Sequence, residues 1–187
     1  MEFEKNLHER YGLSSAAVDT LLAHLETLRF GRRSTVLGEG DADRYAWFVE
    51  QGSVRSYVLR EGKCVTTAFA FEGDAAVPIL GPTPDGISRV TIETLEPSVL
   101  VRIPRRRLDG LFGVSPELAN WGRRVAERNL AQLERYFTDY FWADKGTQYR
   151  MLVAEYPELL RRVSLRELAS YLHVTPQTLS RIRASIR

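Results

Sequence analysis

Histidine and cysteine are nearly missing from this chain, and each gap excludes a class of chemistry. The histidines are His8, His24 and His173, with none between His24 and His173. A metal enzyme on a β-barrel needs several His and carboxylate ligands on barrel strands, so a cupin-like enzyme is the weakest reading and no metal site is expected. A haem sensor would need axial ligands inside a barrel, and all three histidines fall outside the strand-rich stretch. The single cysteine, Cys64, excludes an internal disulfide and an iron–sulfur cluster, which takes several thiolates. A lone strand cysteine of this kind is expected to be a small core residue. No Ser-His-Asp arrangement or phosphate loop appears. The chain is therefore not expected to be an enzyme or to carry a cofactor.

Long apolar runs are also lacking. The longest are about five to ten residues, against roughly 20 for a bilayer span. The N-terminus, Met1-Glu2-Phe3-Glu4-Lys5, has no apolar leader. With one cysteine, this predicts a cytoplasmic protein with no membrane partner. There is no low-complexity block and no internal repeat.

What is present is an ordinary globular mixture of 187 residues, 44% apolar and 27% charged, enough for one or two domains. The charge is uneven. Residues 144–187 hold eight Lys+Arg against four Asp+Glu, whereas 1–143 hold 18 against 20. A basic segment on a mildly acidic body points to a polyanion partner for that segment.

Residues 4–28 read as helical from Leu7, Tyr11, Val18, Leu21, Leu22, Leu25 and Leu28, with a break at Gly12 and a cap at Ser14 or Ser15. From about 30 to 103 the texture changes to short runs rich in Val, Tyr, Phe and Thr, separated by glycine turns. Strands are expected at 35–37, 45–50, 54–59, 64–71, 89–94 and 98–103, which indicates a barrel or sandwich. Arg105-Arg106-Arg107 are expected on a solvated turn or helix.

Ser115-Pro116 then starts a long helix, 115–142. One apolar row runs through Trp121, Val125, Asn129, Leu133 and Tyr136. A neighbouring row holds Ala126, Leu130, Phe137 and Phe141. Two rows need two packing partners, here a barrel and a second copy of the helix. The Trp121 row is assigned to the dimer seam, where a polar Asn129 would fix register.

Residues 164–186 read as two short helices in a helix-turn-helix. Ser164-Leu165-Arg166-Glu167 is a capping box, and Thr175-Pro176 is a second cap-then-proline start. Ala169 supplies the small residue where the helices cross. Leu165, Leu168, Leu172, Val174, Leu179 and Ile182 supply a shared core. The turn, Leu172-His173-Val174-Thr175, has histidine where glycine is usual, because the chain often goes left-handed there. Thr175, Gln177, Thr178, Ser180, Arg181 and Arg183 lie outside that core and suit base edges and phosphates.

These segments together resemble the CRP/FNR superfamily of bacterial transcription regulators. The resemblance rests on Leu37-Gly38-Glu39-Gly40-Asp41, Tyr45 to Arg55 and Phe69-Ala70-Phe71-Glu72-Gly73-Asp74. Its most specific part is Glu155 to Leu160, Ala169 to Leu172 and Val174 to Arg183. It implies an α+β chain: a cyclic-nucleotide-binding-like jelly roll at 1–114, a dimerisation helix at 115–142 and a DNA-binding head at 143–187. It implies double-stranded DNA and a second copy as partners, with RNA polymerase as a further one. Room remains for a small-molecule effector of unassigned pocket. Arg181 takes the place of the family's guanine-reading arginine. The family's cyclic-phosphate clamp falls on Pro78 and Ser88, with Arg89 one residue late, so a response to cyclic AMP is not expected. The remaining alternative is an effector-binding or protein-interaction module that does not bind DNA.

Overall fold

The computed structural model describes residues 1–76 and 85–186. Two short helices open the chain, α1 (Glu2–Glu9) and α2 (Ser15–Leu22). The Ser14 hydroxyl caps α2 by accepting from the Ala17 amide. The helical reading of residues 4–28 then fails at its end. Glu26–Phe30 is strand β1, paired along its length with the last strand of the barrel. Leu25 and Leu28 continued a helical spacing by coincidence, and tertiary pairing overrides so short a periodicity.

The remaining strands are β2 (Thr35–Leu37), β3 (Tyr45–Gln51), β4 (Val54–Arg60), β5 (Lys63–Ala70), β6 (Thr91–Thr94) and β7 (Ser98–Pro104). They form two antiparallel sheets, β1-β7-β3 and β2-β6-β4-β5. Val49, Val54, Ala70, Ile92 and Leu100 fill the space between the sheets. Gly52 turns β3 into β4 at φ 93°, and a Cβ there would run into Ser98. β5 ends the second sheet, so one side of its backbone has no strand partner among the described residues. Cys64 lies on this edge strand and is only half-buried, not a core residue.

Helix α3 (Arg105–Val114) follows the barrel. Arg105 was expected in solvent, but it is buried and bonded to the buried Asp43 carboxylate at 2.8 Å. A buried arginine needs such a partner.

Helix α4 (Pro116–Arg135) begins at Ser115, whose hydroxyl accepts from the Leu118 amide. Its turns change to a π-helical stretch at Tyr136–Tyr140, so the regular helix is shorter than 115–142. Leu118, Trp121 and Val125 face inward and join Phe3, Leu7, Leu21, Phe48 and Ile103 in one core. Gly122 allows α3 to approach, since a Cβ there would stand 2.7 Å from the Phe112 ring.

The C-terminal helices are α5 (Lys145–Glu155), α6 (Leu159–Arg162), α7 (Leu165–Tyr171) and α8 (Pro176–Ser185). Asp144 caps α5, and the buried Gln148 amide donates to the Tyr140 and Ala143 carbonyls at 3.0 Å each. This satisfies carbonyls that the end of the long helix leaves free.

Candidate nucleic-acid interface

Helices α7 and α8 form the expected pair, each with its cap. The Ser164 hydroxyl accepts from the Glu167 amide at 3.3 Å, and the Glu167 carboxylate accepts from the Ser164 amide at 2.9 Å. Thr175 caps α8 by accepting from the Thr178 amide at 3.1 Å. His173 holds the turn at φ 54°, the left-handed geometry that its place in the motif demands. Leu168, Ala169, Leu172 and Leu179 are buried, with Leu165, Val174 and Ile182 packed against them.

The core residues fix which side of α8 is free. Thr175, Gln177, Thr178, Ser180 and Arg181 are exposed, and Arg183 is half-buried. Gln177 and Arg181 are four residues apart and share a face within the first two turns. The face carries donors and acceptors of both kinds and an arginine fork, the inventory needed for base edges in a major groove. Partial desolvation of the His173 ring, and then the nearby Lys145, lower its pKa, which favours the uncharged ring.

The head is joined to the barrel by a continuous core. Phe71 and Leu95 of the barrel pack among the buried residues of α5 to α8. Beside this junction lies a cavity of about 470 Å³ between β5, α4 and the head, whose lining includes Tyr11, Tyr136, Tyr140, Tyr156, Tyr171 and Arg128. Burial pushes the Tyr156 and Tyr171 phenols up to about 12, so both remain protonated donors. No group of three or more potential metal ligands occurs among the described residues. No helix among them is long and apolar enough to cross a membrane.

Residues 27–114 match the cyclic nucleotide-binding domain family. No curated protein matches the chain. Among solved structures, FixK2 from Bradyrhizobium japonicum superposes with a TM-score of 0.75 at 20% identity, over 87% of this chain and 84% of that one. CLP of Xanthomonas campestris, a c-di-GMP-responsive global regulator, gives a TM-score of 0.71 at 19% identity, over 92% and 91%. A structure from Eubacterium rectale, assigned to the CRP/FNR regulators, gives 0.68 at 17% identity, over 92% and 83%.

The chain shares the fold of these regulator structures.

One expectation changes on the structure. The Trp121 row is not a free seam. Trp121 and Val125 are 2% and 7% exposed and pack inside the protomer, with Trp121 between Phe3, Phe48 and Tyr11. Asn129 and Tyr136 are half-buried beside the cavity, and only Leu133 of that row stands out, at 53%. The exposed apolar residues belong to the neighbouring row. Leu130, Phe137 and Phe141 are 65%, 55% and 53% exposed. Ala126, Leu130, Leu133, Phe137 and Phe141 therefore form the unpartnered stripe of the long helix.

The resemblance puts the cyclic-phosphate clamp at Pro78 and Ser88, with Arg89 beside it. Pro78 lies outside the described residues. Ser88 is buried and its hydroxyl donates to the Val90 carbonyl at 2.7 Å. Arg89 is exposed and bonded to Asp85 at 2.5 Å. Neither Ser88 nor Arg89 lines the cavity described above.

Proposed function

We propose that this chain is a sequence-specific DNA-binding transcription regulator that acts as a homodimer in the cytoplasm. The observation that carries this reading is the open, polar face of α8 on a helix pair whose core and caps are complete. A helix-turn-helix head of this design offers the N-terminal part of its second helix to the major groove. In this reading residues 1–114 sense, 115–142 pair and 143–187 bind DNA.

The stripe from Ala126 to Phe141 supports the dimer, because its apolar side chains are ones that α4 and the π-helical stretch after it leave in solvent. Fully burying each Leu or Phe contributes about 1.5–3 kcal/mol, which favours a second copy across the stripe. The engaged Ser88 hydroxyl and outward Arg89 support a barrel that does not take cyclic AMP. RNA polymerase is the further partner this reading implies.

Selection of genomic DNA fragments by the purified protein tests the reading. The expected result is enrichment of a two-fold symmetric sequence, with affinity that falls steeply as salt rises. A protein-interaction hairpin would instead enrich nothing and show little dependence on salt.

A further inference from the structure

Two carboxylates on the barrel are each held by a donor of the barrel itself. The Gly52 amide donates to Glu72 Oε1 at 2.8 Å, and the Ser53 hydroxyl donates to Glu96 Oε1 at 2.6 Å. Arg162, the last residue of α6, lies across both. Its Nη1 and Nη2 bond Glu72 at 2.7 and 2.8 Å, and its Nε and Nη2 bond Glu96 at 2.9 and 2.6 Å. The guanidinium also stands 5.0 Å over the Phe71 ring. Bidentate arginine contacts of this kind fix direction as well as distance.

A second attachment lies on α7. The Ser170 hydroxyl accepts from the Thr66 amide at 3.0 Å and donates to the Cys64 carbonyl at 2.7 Å. It thus takes the place of a missing strand along the free edge of β5. Arg33, between β1 and β2, bonds the buried Glu167 at 3.2 Å. Three attachments from separate parts of the barrel hold α6 and α7, while the reading face of α8 stays open. The contacts therefore do not hide that face.

We infer that the Arg162 fork and the Ser170 bridge form a latch that orients each recognition helix on its own barrel, and so sets the half-site spacing the dimer accepts. This rests on the DNA-binding reading of the head. A head hung only from the end of the long helix would tolerate several spacings. A latched head admits one. The segment that carries Glu72 also meets the N-terminal helix, where the Asn6 amide donates to the Gly73 carbonyl at 2.9 Å and Arg10 pairs with Asp74 at 3.5 Å. It forms one wall of the cavity as well, through Gly73 and Asp74. Movement of this segment would reach the latch directly.

The test is Arg162→Gln in the full chain, with two readouts. Amide exchange at Thr66 should quicken by about tenfold or more, while Val101 on β7, the central strand of its sheet, stays slow. On operators lengthened or shortened by a single base pair, the native protein should lose about tenfold or more in affinity, and the variant less than about threefold. The Arg181-dependent base preference should survive in the variant. Native exchange at Thr66 in the variant, or an undiminished spacing penalty, would overturn the latch. If Arg162→Gln fails to fold, Glu96→Gln removes one arm of the fork and carries the same two readouts. A native protein that binds no DNA would defeat the functional reading alone, since exchange at Thr66 still decides whether the latch exists.

Discussion

Arg181 and Arg183 sit two residues apart on α8 and meet different surroundings. Arg181 is exposed on the face that holds Gln177, whereas Arg183 is half-buried. An arginine on the reading face can bridge guanine O6 and N7, and one beside it reaches phosphate. Arg181→Ala should therefore cost about 1–3 kcal/mol on the selected operator and relax preference at one base pair per half-site. Arg183→Ala should weaken cognate and random DNA alike and make the salt slope shallower by about one. Affinity titrations over a salt series separate the two. An equal loss on both DNAs for Arg181→Ala would make that residue a phosphate contact only. At this scale the legible features were the local ones. Ser115, Ser164 and Thr175 cap the helices they were expected to cap, because a cap is decided within three or four residues. Arg105 was illegible, because its burial depends on Asp43, 62 positions away in the chain.

The long helix shows the same limit for a whole element. Its two apolar rows were readable from spacing, but nothing in α4 itself says which row meets the barrel. That choice is made by Phe3, Leu7 and Tyr11 of the N-terminal segment, which close over Trp121. The consequence is a sharp contrast between rows. Leu130→Glu with Phe137→Glu should leave a folded monomer with weakened operator binding, since both side chains lie in solvent in the isolated chain. Trp121→Ala should instead destabilise the protomer by about 3–5 kcal/mol, as large-to-small core changes do. Sedimentation and thermal unfolding of the two variants give the comparison. A double variant that still sediments as a dimer would remove the stripe from the interface. The π-helical stretch that follows was not legible at all. A π turn takes more residues per turn than an α-helix, and the sequence pattern does not mark where the change occurs.

At the scale of the molecule, the barrel, the long helix and the helix-turn-helix head were expected as a set, from turn signals and from the resemblance, whereas strand β1 was read as helix. The attachment of head to barrel was not expected, because Arg162, Glu72 and Glu96 are far apart in sequence and look like ordinary surface charges. The barrel's chemistry leads to a further expectation. Ser88 is engaged with Val90, and Arg89 pairs with Asp85, so neither side chain is set to grip a cyclic phosphate. Calorimetric titration with cyclic AMP and cyclic GMP should show no specific heat. A micromolar dissociation constant, about 8 kcal/mol of binding free energy, would place the clamp elsewhere in the barrel. The free side of β5 bears on how the chain can be divided. Unpaired strand backbone is a template for other chains, and proteins cover or charge it to stay soluble. Here α7 is the cover, through Ser170 and the Phe69–Tyr171 contact. A barrel cut away from its head would present a sticky margin, so α7 also guards the barrel against aggregation.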